Sequence, residues 1–179
     1  RTVVPYSTRR EIDGGSTLAG KGLELAWLAD PAERFFLNVQ GSGVVRLPDG
    51  SERRIGYAGS NGHPYRSIGR LLADEGKIPL QDVTMQAIRD YLARNLDERD
   101  PIFHHNESYV FFRWTEGGPF GSLGVPVTTR RSIATDNQVY PRGNLAFVQT
   151  TVPMLGAGGE AVPASFNRFL LDQDTGGAI

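Results

Sequence analysis

Residues 44–59 read "VVRLPDGSERRIGYAG". Two extended runs flank Pro48-Asp49-Gly50. Proline fixes its own φ near about −65°, and a glycine two positions on is free to take positive φ. That turn chemistry between β-prone runs predicts a β-hairpin spanning about residues 43–57. Just upstream, "FFLNVQGSG" alternates and predicts a strand from Phe35 to Gln40, with Phe36, Asn38 and Gln40 on one face and Phe35, Leu37 and Val39 on the other. Residues 1–34 read as irregular, with a turn at Asp13-Gly14-Gly15.

Downstream the period changes to that of a helix. In "HPYRSIGRLLADEGKI", Ile68, Leu71 and Leu72 predict a helix from about Tyr65 to Glu75, with Pro64 suited to its first turn and Gly76 as its stop. "DVTMQAIRDYLARN" predicts a second helix with the stripe Met85, Ile88, Leu92 and a cap at Asp82 or Thr84. Both helices are expected to pack on the hairpin as scaffold. "DERDPIFHHN" suggests a short third helix, and the aromatic run "SYVFFRW" a strand. Glu116-Gly117-Gly118-Pro119 then breaks the pattern and divides the chain into domains 1–116 and 117–179. Beyond it only short strands and turns follow: "GVPVTT", "SIATD", "NLAFVQTTVP" and "RFLLDQD", the rhythm of a small β-barrel. The expected class is mainly β with a few helices, a β-rich α+β chain.

The 179 residues carry a net charge of −1, with lysine and arginine scattered along the chain, so a strongly basic nucleic-acid binder is excluded. There is no cysteine, which excludes disulfides and cysteine-ligated metal but leaves the redox compartment open. No apolar run approaches the ~18 residues of a membrane helix. The chain starts at Arg1, so any address label is expected upstream of it. Glycine (22) and proline (11) are abundant enough to favour many tight turns.

His104 and His105 are adjacent, so on a regular element they point apart, and neither has a metal-ligand partner at helical or hairpin spacing. His63 lies in a loop beside Asn61, Gly62 and Pro64, where a structural role outweighs a place in a cleft. No metal and no cofactor are expected. Asp136 and Asp174 each close a strand and precede a turn, and the strand before Asp174 is apolar. Aspartate favours turns for its own hydrogen-bonding reasons, but a carboxylate on the rim of an apolar barrel is also placed for acid–base chemistry, because burial raises its pKa. "GSGVVR" lacks the P-loop lysine and leads into a strand, which rejects a phosphate cradle; "GSNGHPYR" runs into a helix N-terminus. Two readings stand for this glycine-rich stretch. One is turn glycines over a packed aromatic core. The other is the polar wall of a cleft, where Gln40, Ser42 and Asn61 meet sugar hydroxyl and N-acetyl groups, and Tyr57, Tyr65 and Trp114 meet apolar sugar faces.

The blocks "FFLNVQGSGVVRLPDGSERRIGYAGSNGHPYRSIGRLL", "MQAIRDYL", "SYVFFR", "GVPVTTRRSIATD" and "DTGGAI", in this order, resemble the membrane-bound lytic murein transglycosylase A family over nearly the whole chain. The resemblance implies cleavage of the β-1,4 bond between N-acetylmuramic acid and N-acetylglucosamine in peptidoglycan, without water, leaving a 1,6-anhydromuramic end. It implies a periplasm-facing outer-membrane lipoprotein, anchored upstream of this chain, in cell-wall turnover. Its architecture is an inserted β-domain with helices plus a double-psi β-barrel (three-aspartate) domain, the two flanking a long groove. Residues 1–116 match the insert and 117–179 the C-terminal part of the barrel; the barrel's N-terminal segment has no counterpart here. Asp136 and Asp174 match the first two family aspartates, in supporting roles. The family's catalytic acid is expected beyond Ile179, so residues 1–179 alone are expected to be inactive. Groove contacts are expected from Gln40, Ser42, Tyr57, Asn61, Tyr65 and Arg66. The expected partner is a peptidoglycan glycan strand, with no nucleic acid; the protein is expected to be a monomer, with a place in a cell-wall synthesis or hydrolysis complex. The alternative is a non-catalytic peptidoglycan-binding module.

Overall fold

The structure is a computed structural model that describes residues 4–15 and 17–176. The chain forms two compact units, divided between Glu116 and Gly117. Among the described residues there are five α-helices and six strands, a β-rich α+β chain.

The first unit opens with helix α1 (Arg9–Asp13), whose Thr8 and Glu11 form a capping box. Helix α2 (Pro31–Gln40) follows, and it corrects the strand expected from Phe35 to Gln40. Helix signals decide the outcome. Asp30 accepts a hydrogen bond from the Ala32 N–H at 2.8 Å, Pro31 occupies the first turn, and Gly41 ends the helix at φ 74°. Ala32, Phe35 and Phe36 are buried at i, i+3, i+4 spacing, a period hidden when the run is read as alternation.

The hairpin forms as expected from strands β1 (Gly43–Arg46) and β2 (Glu52–Ser60). Gly50 takes φ 81° at its turn, Leu47 N–H donates to Ser51 O at 2.8 Å, and the Asp49 carboxylate accepts from the Ser51 N–H and hydroxyl. Strand β3 (Val110–Thr115) pairs antiparallel with β2, giving the order β1-β2-β3. Helices α3 (Ile68–Asp74), α4 (Met85–Arg94) and α5 (Arg99–His105) lie between β2 and β3 in sequence. Helix α3 begins later than expected because Ser67 caps it, which leaves Pro64 in the preceding loop rather than the first turn. Thr84, not Asp82, caps α4.

Phe35 and Phe36 of α2, Ile68 and Leu72 of α3, Ile88 and Leu92 of α4, and Ile102 and Phe103 of α5 share one core with Ile78. The rings of Phe35 and Phe103 stack with centroids 4.7 Å apart. The helices thus pack chiefly on one another. Val45 and Ile55 of the hairpin are buried outside this cluster, and Met85 is 44% exposed, so the expected stripe of α4 narrows to Ile88 and Leu92. A buried arginine ties α1 to this unit. Arg9 donates to Asn106 O, Ser108 O and Asn38 Oδ1, and its guanidinium lies 4.8 Å from the ring centroid of Phe35. Charge buried in this way is tolerable because every partner is an acceptor or a ring face.

The second unit holds β4 (Ser132–Ala134), β5 (Leu145–Leu155) and β6 (Ala161–Asp174), in the order β4-β6-β5. Strands β5 and β6 are antiparallel; β4 and β6 are parallel. The segment "GVPVTT" is not a strand: it makes only an isolated bridge, between Phe120 and Pro126. This loop lies against the end of β6, where a Cβ added at Gly121 would come within 2.1 Å of Gln173 O.

Candidate functional site

Strand pairing builds an aromatic face on the first unit. Register pairs Ile55 with Trp114 and Tyr57 with Phe112, and directly opposed residues share a face of an antiparallel sheet. Tyr57, Phe112 and Trp114 therefore stand on one face. Tyr57 is 55% exposed, while Phe112 and Trp114 are half-buried. Arg53, on the same face, lies over the Trp114 ring at 4.0 Å from its centroid. Phe112 was not singled out from the sequence; the signal was its place two residues before Trp114 in a strand, which sends both rings the same way.

The polar residues expected beside these rings separate into different roles. Asn61 does not line a cleft: it is 2% exposed. Its Nδ2 donates to Ser7 O and Glu107 O, and its Oδ1 accepts from Tyr109 N–H at 2.8 Å and His63 N–H at 3.4 Å. It is a structural staple between the N-terminal segment, the loop after β2 and the start of β3. Gln40 is exposed at the last turn of α2, and Ser42 is half-buried just before β1. Tyr65 is half-buried in the loop before α3, and the exposed Arg66 points its guanidinium to within 3.9 Å of Glu107, which also lies 3.7 Å from His63 Nδ1. His63 Nε2 is 2.8 Å from Tyr6 O, so this ring too is held structurally.

In the second unit, parallel pairing brings Asp136 and Asp174 to the same end of the sheet. Strand β4 stops two residues before Asp136, β6 stops at Asp174, and Thr135 N–H donates to Asp174 O at 3.2 Å. The Asp174 carboxylate accepts from Ser122 N–H at 2.9 Å, and Thr175 Oγ1 donates to Thr135 O at 2.9 Å. The Asp136 carboxylate accepts from Gln138 N–H at 2.8 Å in a local turn. Two positions earlier on β6 stands Asp172, paired with Ile133, with a register shift against β4 between it and Asp174. It is 1% exposed, and its Oδ1 has no hydrogen-bond partner among the described residues. Sequence reading passed over it; the signal was an aspartate at the same parity as the buried Leu170. Among the described residues no group of acids and histidines is arranged to hold a metal ion.

Residues 1–113 match the family model for the MltA specific insert domain, and residues 131–179 match the 3D domain. The chain belongs to the MltA family. The membrane-bound lytic murein transglycosylase A of Vibrio cholerae is 36% identical over 176 residues, covering 96% of this chain and 47% of that protein. The crystal structure of membrane-bound lytic murein transglycosylase from Agrobacterium tumefaciens superposes with a TM-score of 0.84 at 39% identity, over 97% of this chain and 47% of that one. That of E. coli MltA with bound chitohexaose gives a TM-score of 0.79 at 35% identity, over 97% of this chain and 52% of that one. The MltA-family chain thus spans about half the length of the curated relatives it matches.

Proposed function

We propose that this chain is part of a lytic transglycosylase that cleaves the β-1,4 N-acetylmuramyl–N-acetylglucosamine bond of peptidoglycan with formation of 1,6-anhydro-N-acetylmuramic acid. The observation that carries the reading is family membership across both units, together with relatives named as murein transglycosylases. The non-catalytic binding module is the weaker reading for the same reason. The aromatic face of Tyr57, Phe112 and Trp114 suits the apolar faces of sugar rings, and the crystallised E. coli relative holds a sugar hexamer. Gln40, Ser42, Tyr65 and Arg66 remain proposed groove contacts, with Phe112 added and Asn61 reassigned to structure.

Ordinary glycosidases divide acid and base or nucleophile work between two carboxylates. In the proposed reaction one acid protonates the leaving glycosidic oxygen, then, as carboxylate, takes the proton of the sugar's own C6 hydroxyl as that oxygen attacks C1. The nucleophile is tethered, so proximity replaces the second catalytic group. Asp174 and Asp136 serve as fixed neighbouring carboxylates. Negative charge beside an acid raises its pKa and keeps it protonated near neutral pH. Ser122 N–H and Gln138 N–H hold the two side chains in place. The division at Glu116–Gly117 is proposed to separate the substrate-groove insert from the barrel domain.

No helix among the described residues is long and apolar enough to cross a membrane. We place the protein at the periplasmic face of the outer membrane, held by a lipid anchor, acting on glycan strands as a monomer or within a cell-wall complex. The test is release of 1,6-anhydro muropeptides from purified sacculi by the full-length protein, read by mass spectrometry. Hydrolytic products with free reducing ends, or binding without cleavage, would overturn the reading.

A further inference from the structure

The face of the β1-β2-β3 sheet opposite the aromatic rings carries Val44, Arg46, Glu52, Arg54, Gly56, Arg113 and Thr115, as the cross-strand register dictates. Elsewhere in the first unit, arginines hold carboxylates: Arg34 to Asp13, Arg70 to Asp74, Arg89 to Glu33 and Arg99 to Asp30. On this face Glu52 is taken by Arg46. Arg54 and Arg113 are both exposed, and among the described residues neither side chain has an acidic partner or a hydrogen bond. Arg54 stands opposite Thr115, and Arg113 opposite Gly56. The two arginines are therefore diagonal neighbours with Cα atoms on the order of 7–8 Å apart. Like charges that close destabilise a sheet, and Glu52, the carboxylate on this face, is held by Arg46.

Gly56 leaves the floor between the two guanidiniums without a side chain. A Cβ there would sit 2.9 Å from Thr115 Cγ2 and 3.6 Å from its hydroxyl. The Thr115 side chain leans over this glycine, and two unpaired forks beside its hydroxyl match the bidentate geometry of a carboxylate. The exposed Val44, opposite Arg54, adds an apolar edge.

We propose that Arg54, Arg113 and Thr115, around Gly56, form a docking site for the carboxylates of murein stem peptides. The site lies on the opposite side of the sheet from the sugar platform. This rests on the reading that the chain handles murein, and it names which part of that polymer the second face takes. Charge complementarity selects the occupant: stem peptides offer free carboxylates at short intervals along each strand, and the face offers two free cations.

The experiment measures co-sedimentation of the full-length protein with sacculi at low salt. Untreated sacculi are compared with sacculi whose carboxylates have been converted to methylamides. Chitohexaose binding serves as the uncharged control for the sugar site and for folding. The double variant Arg54→Gln/Arg113→Gln should bind untreated sacculi roughly fivefold more weakly than wild type, the sum of two modest exposed pairs. Amidated sacculi should bind wild type and variant alike, and chitohexaose binding should be unchanged. Equal binding of wild type and variant to untreated sacculi would overturn the proposal, as would a variant defect that persists on amidated sacculi. Vesicles of phosphatidylglycerol and phosphatidylcholine form a further arm; arginine-dependent binding there, without any on sacculi, would assign the face to a lipid surface instead. Loss of chitohexaose binding by wild type would instead count against the sugar platform and leave the arginine comparison readable on sacculi.

Discussion

Two buried polar residues show opposite uses of the same chemistry. Asn61 satisfies its amide with backbone groups of the N-terminal segment and of residues 107–109, so it stabilises the first unit by joining both to its own loop. Replacing it with alanine strands buried donors and acceptors and should cost roughly 1–3 kcal/mol, measured as a shift in the denaturant midpoint. If chitohexaose affinity fell while stability held, the residue would belong to the cleft after all. Asp172 is the reverse case, a carboxylate buried in a strand with an oxygen that has no hydrogen-bond partner among the described residues. Asp172→Val gives the strand a β-branched residue and removes the desolvated group. It should raise the stability of the second unit by about 1 kcal/mol or more. A clear loss of stability in the melting curve would show that Asp172 has a partner that matters. Neither role was legible in the sequence, for a physical reason. An asparagine or aspartate near a glycine suits a turn, a cleft or a buried staple equally well, and only tertiary packing separates the three.

At the scale of elements, the readable parts were those with local stop and turn chemistry. Pro48-Asp49-Gly50 set the hairpin, and Gly76 and Thr84 bounded α3 and α4 closely. Helix α2 was misread because Phe35-Phe36-Leu37 suits a strand by propensity, while Asp30-Pro31 and Gly41, which bound the helix, lie outside the run that carries the alternation. The core that α2 joins is dense: Leu72 and Leu92 are fully buried. Leu92→Ala should cost roughly 2–5 kcal/mol in chemical denaturation; a cost under 1 kcal/mol would mean that the core collapses around the gap. Helix α5 adds a pH response. Burial pulls the His104 imidazole below the usual ~6.5, with Arg10 and Arg9 adding to the effect and Asp13 and Asp100 opposing it. The folded state therefore binds this proton less readily than the unfolded chain does. Stability then rises with pH through the window just below ~6.5 and is lost as pH falls through it. Melting curves at pH 7.5 and 5.5 should show a smaller acid loss for His104→Gln than for wild type. Parallel losses would remove His104 from the account.

For the molecule as a whole, the decisive question is what the carboxylates at the end of β4 and β6 do. Asp174 and Asp136 arrive there because β4 and β6 run parallel and stop together, and each side chain is held by a backbone N–H. Asp174→Asn keeps the shape and retains an oxygen for Ser122 N–H, so the unit should fold normally. It removes one negative charge, and a nearby acid then gives up its proton more easily. Because the first step of the proposed reaction needs that acid protonated, the alkaline limb of the rate profile should move to lower pH. At the optimum the full-length variant should lose less than the ~10²–10⁴-fold expected when a proton-transferring acid is removed, with chitohexaose affinity unchanged. Asp136→Asn should act in the same direction. The readout is the initial rate of 1,6-anhydro muropeptide release from sacculi across pH 5–9. A collapse of rate at every pH in Asp174→Asn, with sugar binding intact, would make Asp174 the acid itself. An unshifted limb with a full rate would remove it from the catalytic machinery.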